Sequence, residues 1–110
     1  MAAIANLYVD QGATFSTSVL VKNDDGSAFD LTGYSVAAQI RKSYSSSTAV
    51  DFTASVADPS TAGQINLSLT ATQTGTLEEG RYVYDVEVTS GITVTRVIEG
   101  LVTISPQVTK

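Results

Sequence analysis

The chain contains no cysteine, no histidine and no tryptophan. Each absence removes a class of chemistry. Zinc centres draw mainly on Cys and His, thiol nucleophiles need Cys, and Ser-His-Asp triads need His. No disulfide can staple the fold, so stability has to come from packing and redox compartment is not encoded in the sequence. Long apolar runs are missing too: nothing approaches the roughly 18 consecutive residues of a membrane helix. The first residues, MAAIANLYVDQG, lack both a cationic start and a sustained apolar stretch, so no export signal is read there and a soluble protein is expected.

Charge is sparse and of one sign. Six basic and 11 acidic residues give a formal charge of -5 and a pI near 4.3. Arg41 and Lys42 form the one adjacent basic pair. Nucleic-acid affinity needs a clustered basic footprint, so no nucleic-acid partner is expected. What remains is apolar material, 43% of 110 residues, which is enough for one packed core and too little chain for two. Residues 1–110 are therefore read as a single domain.

Period-2 alternation dominates the chain. Ile4 to Val9 ends at the turn signal Asp10-Gln11-Gly12, and Thr14 to Lys22 alternates Phe15, Thr17, Val19 and Val21 against Ser16, Ser18, Leu20 and Lys22. Asn23-Asp24-Asp25-Gly26 supplies turn chemistry. DLTGYSVAAQIRKS, Asp30 to Ser43, is a polar corner followed by a strand with Tyr34, Val36, Ala38 and Ile40 on one side. After the serine-rich run Ser43 to Thr48 come a short strand at Val50, Phe52 and Ala54, a loop at Asp58 to Gly63, and a strand at Ile65, Leu67 and Leu69. Thr70 to Gly80 has room for one helical turn. RYVYDVEV (Arg81 to Val88) and ITVTRVIEGLVTIS (Ile92 to Ser105) form the longest β element. Seven short strands without a long helix predict an all-β, antiparallel, immunoglobulin-like β-sandwich of about seven strands, with a small closed barrel as the competing architecture.

Three groups of residues are candidates for chemistry. Asn23, Asp24, Asp25 and Asp30 carry oxygen ligands, but their spacing lacks the alternation and terminal Glu of a calcium loop, and they suit a metal-free turn. Asp85 and Glu87 share a strand face as paired carboxylates do in glycoside hydrolysis. If the hairpin turns at Ser90-Gly91, however, Asp85 falls opposite Arg96 and the two form a cross-strand ion pair. Tyr8, Tyr34, Tyr44, Tyr82 and Tyr84 could supply a sugar-stacking platform or a protein interface, but Tyr82 and Tyr84 share a face with Val86 and Val88, which assigns those two to the core with hydroxyls reaching its edge. Asn66-Leu67-Ser68 matches a glycosylation acceptor but falls inside a strand. No catalytic, cofactor-binding or metal-binding residue is assigned, and no small-molecule substrate is expected.

Three stretches, DQGATFSTSVLVKNDDGSAFDLTGYSVAAQIRKS, AGQINLSLTATQTGTLEEGRYVYDVEVTS and GITVTRVIEGLVTISPQVT, resemble in this order the small immunoglobulin-like domains of tailed-phage virion proteins. The likeness extends to the N-terminal domain of upper baseplate proteins. That family carries a strand with a Q-I-R pattern after a D-L-T-G-Y corner, a G-x-Y-x-Y-D-V strand after a short helical turn, and a closing V-T-R-x-x-x-G-x-V-x-I-x-P-x-V strand. The resemblance implies a non-enzymatic virion structural protein, assembled in the host cytoplasm, acting as an adaptor or decoration module in the baseplate, tail, neck or capsid. Its implied partners are other virion proteins and copies of itself. Such baseplate proteins usually continue into a host-recognition region; with Lys110 as the last residue, a stand-alone module is expected. The alternative class is a carbohydrate-binding or adhesin module, with a small glycosidase third. Docking is expected along open strand edges at Ile4 to Val9 or Leu101 to Val108.

Overall fold

Alternation of buried and exposed side chains builds two sheets. The computed structural model describes residues 3–109. Its strands are β1 (Ala3–Ile4), β2 (Leu7–Asp10), β3 (Phe15–Leu20), β4 (Ser35–Arg41), β5 (Val50–Asp51), β6 (Thr53–Val56), β7 (Gln64–Leu69), β8 (Gly80–Ser90) and β9 (Thr93–Ser105). One helical turn, α1 (Ala71–Gly75), precedes β8. The large sheet runs β5-β4-β8-β9, and β1 and β2 both pair parallel to β9 on its far side. The small sheet is β3-β7-β6, antiparallel throughout. Two separate sheets exclude the closed barrel, and the chain is an immunoglobulin-like β-sandwich.

The inner faces carry the apolar phase of each strand. Val19, Ile65, Leu67 and Leu69 of the small sheet meet Ile40, Tyr84, Val86, Val88, Val102 and Ile104 of the large one, all buried. Each such side chain contributes about 1.5 to 3 kcal/mol by leaving water. Three aromatic rings span the gap between the sheets: Phe15 lies 6.4 Å from Phe52, and Phe52 stands edge-on to Tyr84 at 5.9 Å. The Tyr84 hydroxyl then donates to the Ala5 carbonyl at 2.5 Å, tying β8 to the N-terminal strand across β9.

The corner before β8 is fastened in the same way. Thr70 caps α1 through the Gln73 N–H, and the Gln73 side chain accepts from the Thr70 N–H, a reciprocal capping box. Thr74, fully buried, donates its hydroxyl to the Ala13 carbonyl at 2.8 Å. Tyr82 donates to the Glu78 carbonyl at 3.0 Å, four residues upstream, which is the tyrosine corner of immunoglobulin-like sandwiches.

Among the described residues nine strands stand where about seven are expected, because two of them are split. Ile4 to Val9 breaks at Ala5-Asn6, where the Ala5 carbonyl turns to Tyr84 and the Asn6 side chain accepts the Leu101 N–H. Gly100 permits this approach: a Cβ there would run into the Ala5 carbonyl. Val50 to Ala54 breaks at Phe52, where the chain leaves the large sheet for the small one. The expected open edge at Leu101 to Val108 is corrected as well. Residues 101–105 belong to β9, which is paired on both sides, by β8 and by β2, so they offer no free edge.

Tyr84→Phe should destabilise the fold by about 1 to 2 kcal/mol, since it leaves the Ala5 carbonyl without its partner; urea unfolding measures this. Burial pushes the Tyr84 hydroxyl up to about 12 from its ordinary 10.0. A raised pKa means the neutral phenol is favoured in the folded state. Its stabilisation is complete below pH 10 and is lost as pH rises through about 12. Unfolding midpoints should fall across that window, and less steeply in Tyr84→Phe.

Candidate functional site

The outward phase of the large sheet is where polar, aromatic and apolar side chains converge. Pairing register places Ile4, Glu99, Asp85, Gln39 and Asp51 in one row across five strands. Gln39 donates to the Asp51 carboxylate at 2.8 Å, and Arg41 donates to Gln39 at 3.1 Å. Arg96 lies 3.2 Å from Asp85 and 3.6 Å from Glu99. Arg41 also donates to the Ser46 carbonyl at 2.6 Å, which holds the loop after β4 against the sheet. That loop presents Tyr44 between two shallow grooves. One, of about 420 Å³, includes Gln39, Val83, Asp85, Glu87 and Arg96 in its lining. The other, of about 300 Å³, is bounded by Ile4, Asn6, Glu99, Gly100 and Leu101.

The ion pair expected from the sequence forms, but not in the expected register. The hairpin turns on Gly91-Ile92 with Ser90 opposite Thr93, so Arg96 faces Glu87 directly and Asp85 faces Glu99. Gly91 has φ +60°, and among the described residues none but glycines has positive φ, as a turn with glycine first requires. A bulge follows: Glu87 pairs Arg96 while Val86 pairs Ile98, leaving Val97 extra. Val97 and Ile98 are both buried, and Arg96 reaches Asp85 diagonally on the outer face. Arg96 thus joins Asp85 and Glu99 in a cross-strand ion network in an open groove, while Glu87, its backbone partner, makes no ion pair among the described residues.

The other sequence candidates are distributed as follows. Asp25 accepts from the Ser27 hydroxyl at 2.6 Å and the Ser27 N–H at 2.9 Å, and Asp30 accepts from the Thr32 hydroxyl and N–H at 2.6 and 3.0 Å. These hydrogen bonds, hydroxyl first, hold both carboxyls below the ordinary value of 3.8. The two acids close local turns; they do not converge, and among the described residues no group of three or more potential ligands is placed around a metal. Tyr82 and Tyr84 lie in the core, and Tyr34 packs against it beside Phe29. Tyr8 and Tyr44 stand about three-quarters exposed. Asn66 lies in the middle of β7. Tyr44 is one of the five candidate tyrosines of the sequence, but nothing in the spacing places it over the large sheet, because its position depends on how Arg41 folds the loop back.

The β8–β9 hairpin extends past the core. Residues 90–96 are all exposed, Ile92 completely so at the tip. Together with Ile4, Tyr8 and Val94 it adds to the apolar surface not used by the fold.

No family profile matches the chain, and no curated protein matches its sequence. In fold it is similar to 121 solved chains. InlP of Listeria monocytogenes, a crystal structure, matches with a TM-score of 0.51 and 15% identity over 94% of this chain and 28% of that one. The chain thus spans less than a third of InlP's length. A sandwich so widely shared carries no function by itself.

Asp85→Ala and Arg96→Ala should be less than additive, with a coupling of about 0.2 to 1 kcal/mol, because the side chains are one-third and one-half exposed and water screens them. Chemical denaturation of the four proteins of the cycle measures it. Thermal melts in calcium and in chelator should coincide; a large shift would mean that the Asp24-Asp25-Gly26 turn binds an ion.

Proposed function

We propose that this protein is a non-enzymatic structural module of a tailed-phage virion, docking through the outer face of its large sheet onto other virion proteins. The observation that carries the proposal is the presentation of Ile4, Tyr8 and Tyr44 on that face, each about three-quarters exposed, around a row of already paired charges. Exposed aromatics set among satisfied polar groups are what a protein interface uses, since the anchors gain on burial while the polar row costs little new desolvation. The three stretches that resemble phage virion domains supply the setting. They map onto β3 to β4, β7 to β8 and β9, the frame that displays the face.

Mass spectrometry of purified particles tests the setting: the protein should be present at structural copy number, and its absence from intact virions would overturn the proposal. Tyr8→Ala with Tyr44→Ala tests the face. Each anchor lost should weaken docking about fivefold or more without changing the unfolding temperature.

A second reading is favoured by one feature. The Tyr44 ring stands beside Gln39, Asp85 and Arg96, an aromatic platform with flanking hydrogen-bonding groups of the kind that holds a sugar. In this reading the module is a carbohydrate-binding or adhesin domain. Titration with surface polysaccharides separates the two: saturable binding abolished by Tyr44→Ala supports the second reading and removes the first.

A further inference from the structure

The small sheet has an unguarded edge. β3 pairs with β7 on one side and, among the described residues, with nothing on the other, in unbroken register from Phe15 opposite Leu69 to Leu20 opposite Gln64. The Val21 N–H bonds to the Gly63 carbonyl at 2.7 Å, one step past the strand, and this fixes the phase of the ladder. Odd-numbered residues turn their backbone groups toward β7; Ser16, Ser18 and Leu20 turn theirs outward. Among the described residues no turn or loop backbone bonds to these outward groups.

Free edges are normally blunted by charge, proline, a bulge or brevity. The large sheet obeys: β5 is two residues long and carries Asp51, and the N-terminal strand is broken at Ala5-Asn6 and ends in Asp10. At the far side of the small sheet, β6 has four residues. β3 has six, FSTSVL, with none of these devices.

We propose that β3 pairs antiparallel with β3 of a second copy, about a two-fold axis at Thr17. In this register Ser16 lies opposite the partner's Ser18, Thr17 opposite the partner's Thr17, and Phe15 opposite the partner's Val19. The serines are the residues whose backbone groups point outward on both strands, so they form the hydrogen-bonded pairs. Thr17 meets its counterpart at the closer, non-hydrogen-bonded position, with Cα atoms about 4.5 Å apart. Hydroxyl faces hydroxyl on the outer side and aromatic faces β-branched residue on the inner side, both favourable cross-strand combinations, and no charge opposes its like. This self-match is what selects a second copy as the occupant.

The outcome is a continuous six-stranded sheet. Its outer surface carries the rows Ser16, Ser68, Thr53 and Ser18, Asn66, Ser55, without a charged residue in either. The large sheet's outer face stays free on both copies, so dimerisation through β3 and docking through Tyr44 are independent. The pairing does not rest on the virion reading.

Sedimentation of the full chain from about 1 μM to about 1 mM should show mass rising from one copy to two. Thr17→Cys, the sole cysteine in the chain, should form a disulfide dimer on oxidation, because its partner sits within the Cα range such a bond needs. Ser16→Lys with Ser18→Lys sets like charges opposite each other twice, and should weaken the dimer by up to about tenfold with the monomer's unfolding temperature unchanged. In the unmodified protein, the Ser16 and Ser18 amides should gain hydrogen-exchange protection with concentration, an arm that needs no variant. A chain monomeric throughout, a dimer indifferent to the lysines, or a Thr17→Cys protein that stays uncrosslinked would overturn the proposal.

Discussion

The sandwich depends on one aromatic relay. Phe15, Phe52 and Tyr84 bridge the two sheets of a sandwich that has neither disulfide nor tryptophan, and the Tyr84 hydroxyl carries the connection on to Ala5. Aromatic pairs at these spacings contribute about 0.5 to 1.5 kcal/mol beyond their buried area, and a hydrogen bond from a buried hydroxyl adds directional constraint. Three features follow from it. Phe52 must sit where the chain changes sheets, the N-terminal strand must break to offer its carbonyl, and residue 100 must be glycine to let that carbonyl in.

With the interior fastened in this way, the surfaces divide by sheet. On the large sheet's outer face Asp85, Arg96, Glu99 and Asp51 have side-chain partners within the chain, and aromatics stand above them. The small sheet's outer face is neutral and, apart from the exposed Leu20, made of hydroxyl and amide side chains. Its Ser18, Asn66 and Gln64 side chains hydrogen-bond to one another, which lowers the cost of covering them. One face suits a partner that brings its own contours, the other a flat extension of the same sheet.

Much of this was legible in the sequence because period-2 alternation is local. The core phase of β4, β7 and β8, the Asx turns at Asp25 and Asp30, the helical turn before β8 and the burial of Tyr82 and Tyr84 all follow from residue type and spacing. The hairpin register did not. Ser90-Gly91 suggests a turn with glycine second, whereas Gly91 takes the first place and Ile92 the second. The bulge at Val97 is invisible to alternation, since two adjacent apolar residues read equally well as a slip. Sequence order also hides the place of β9: a C-terminal strand looks like an edge, but the parallel N-terminal strands cover it. The candidate face depended on a loop conformation set by the hydrogen bond from Arg41 to Ser46, which no spacing rule encodes.

The claim that the relay holds the N-terminal strand to the sandwich can be tested residue by residue. Native-state hydrogen exchange on the unmodified protein and on Tyr84→Phe compares the amides of β1 and β2 with those of β3 and β7. The account predicts that protection in Leu7 to Asp10 falls well before protection in Phe15 to Leu20 and Gln64 to Leu69, as a local opening. Uniform loss across both sheets, or unchanged protection in β2, would contradict it.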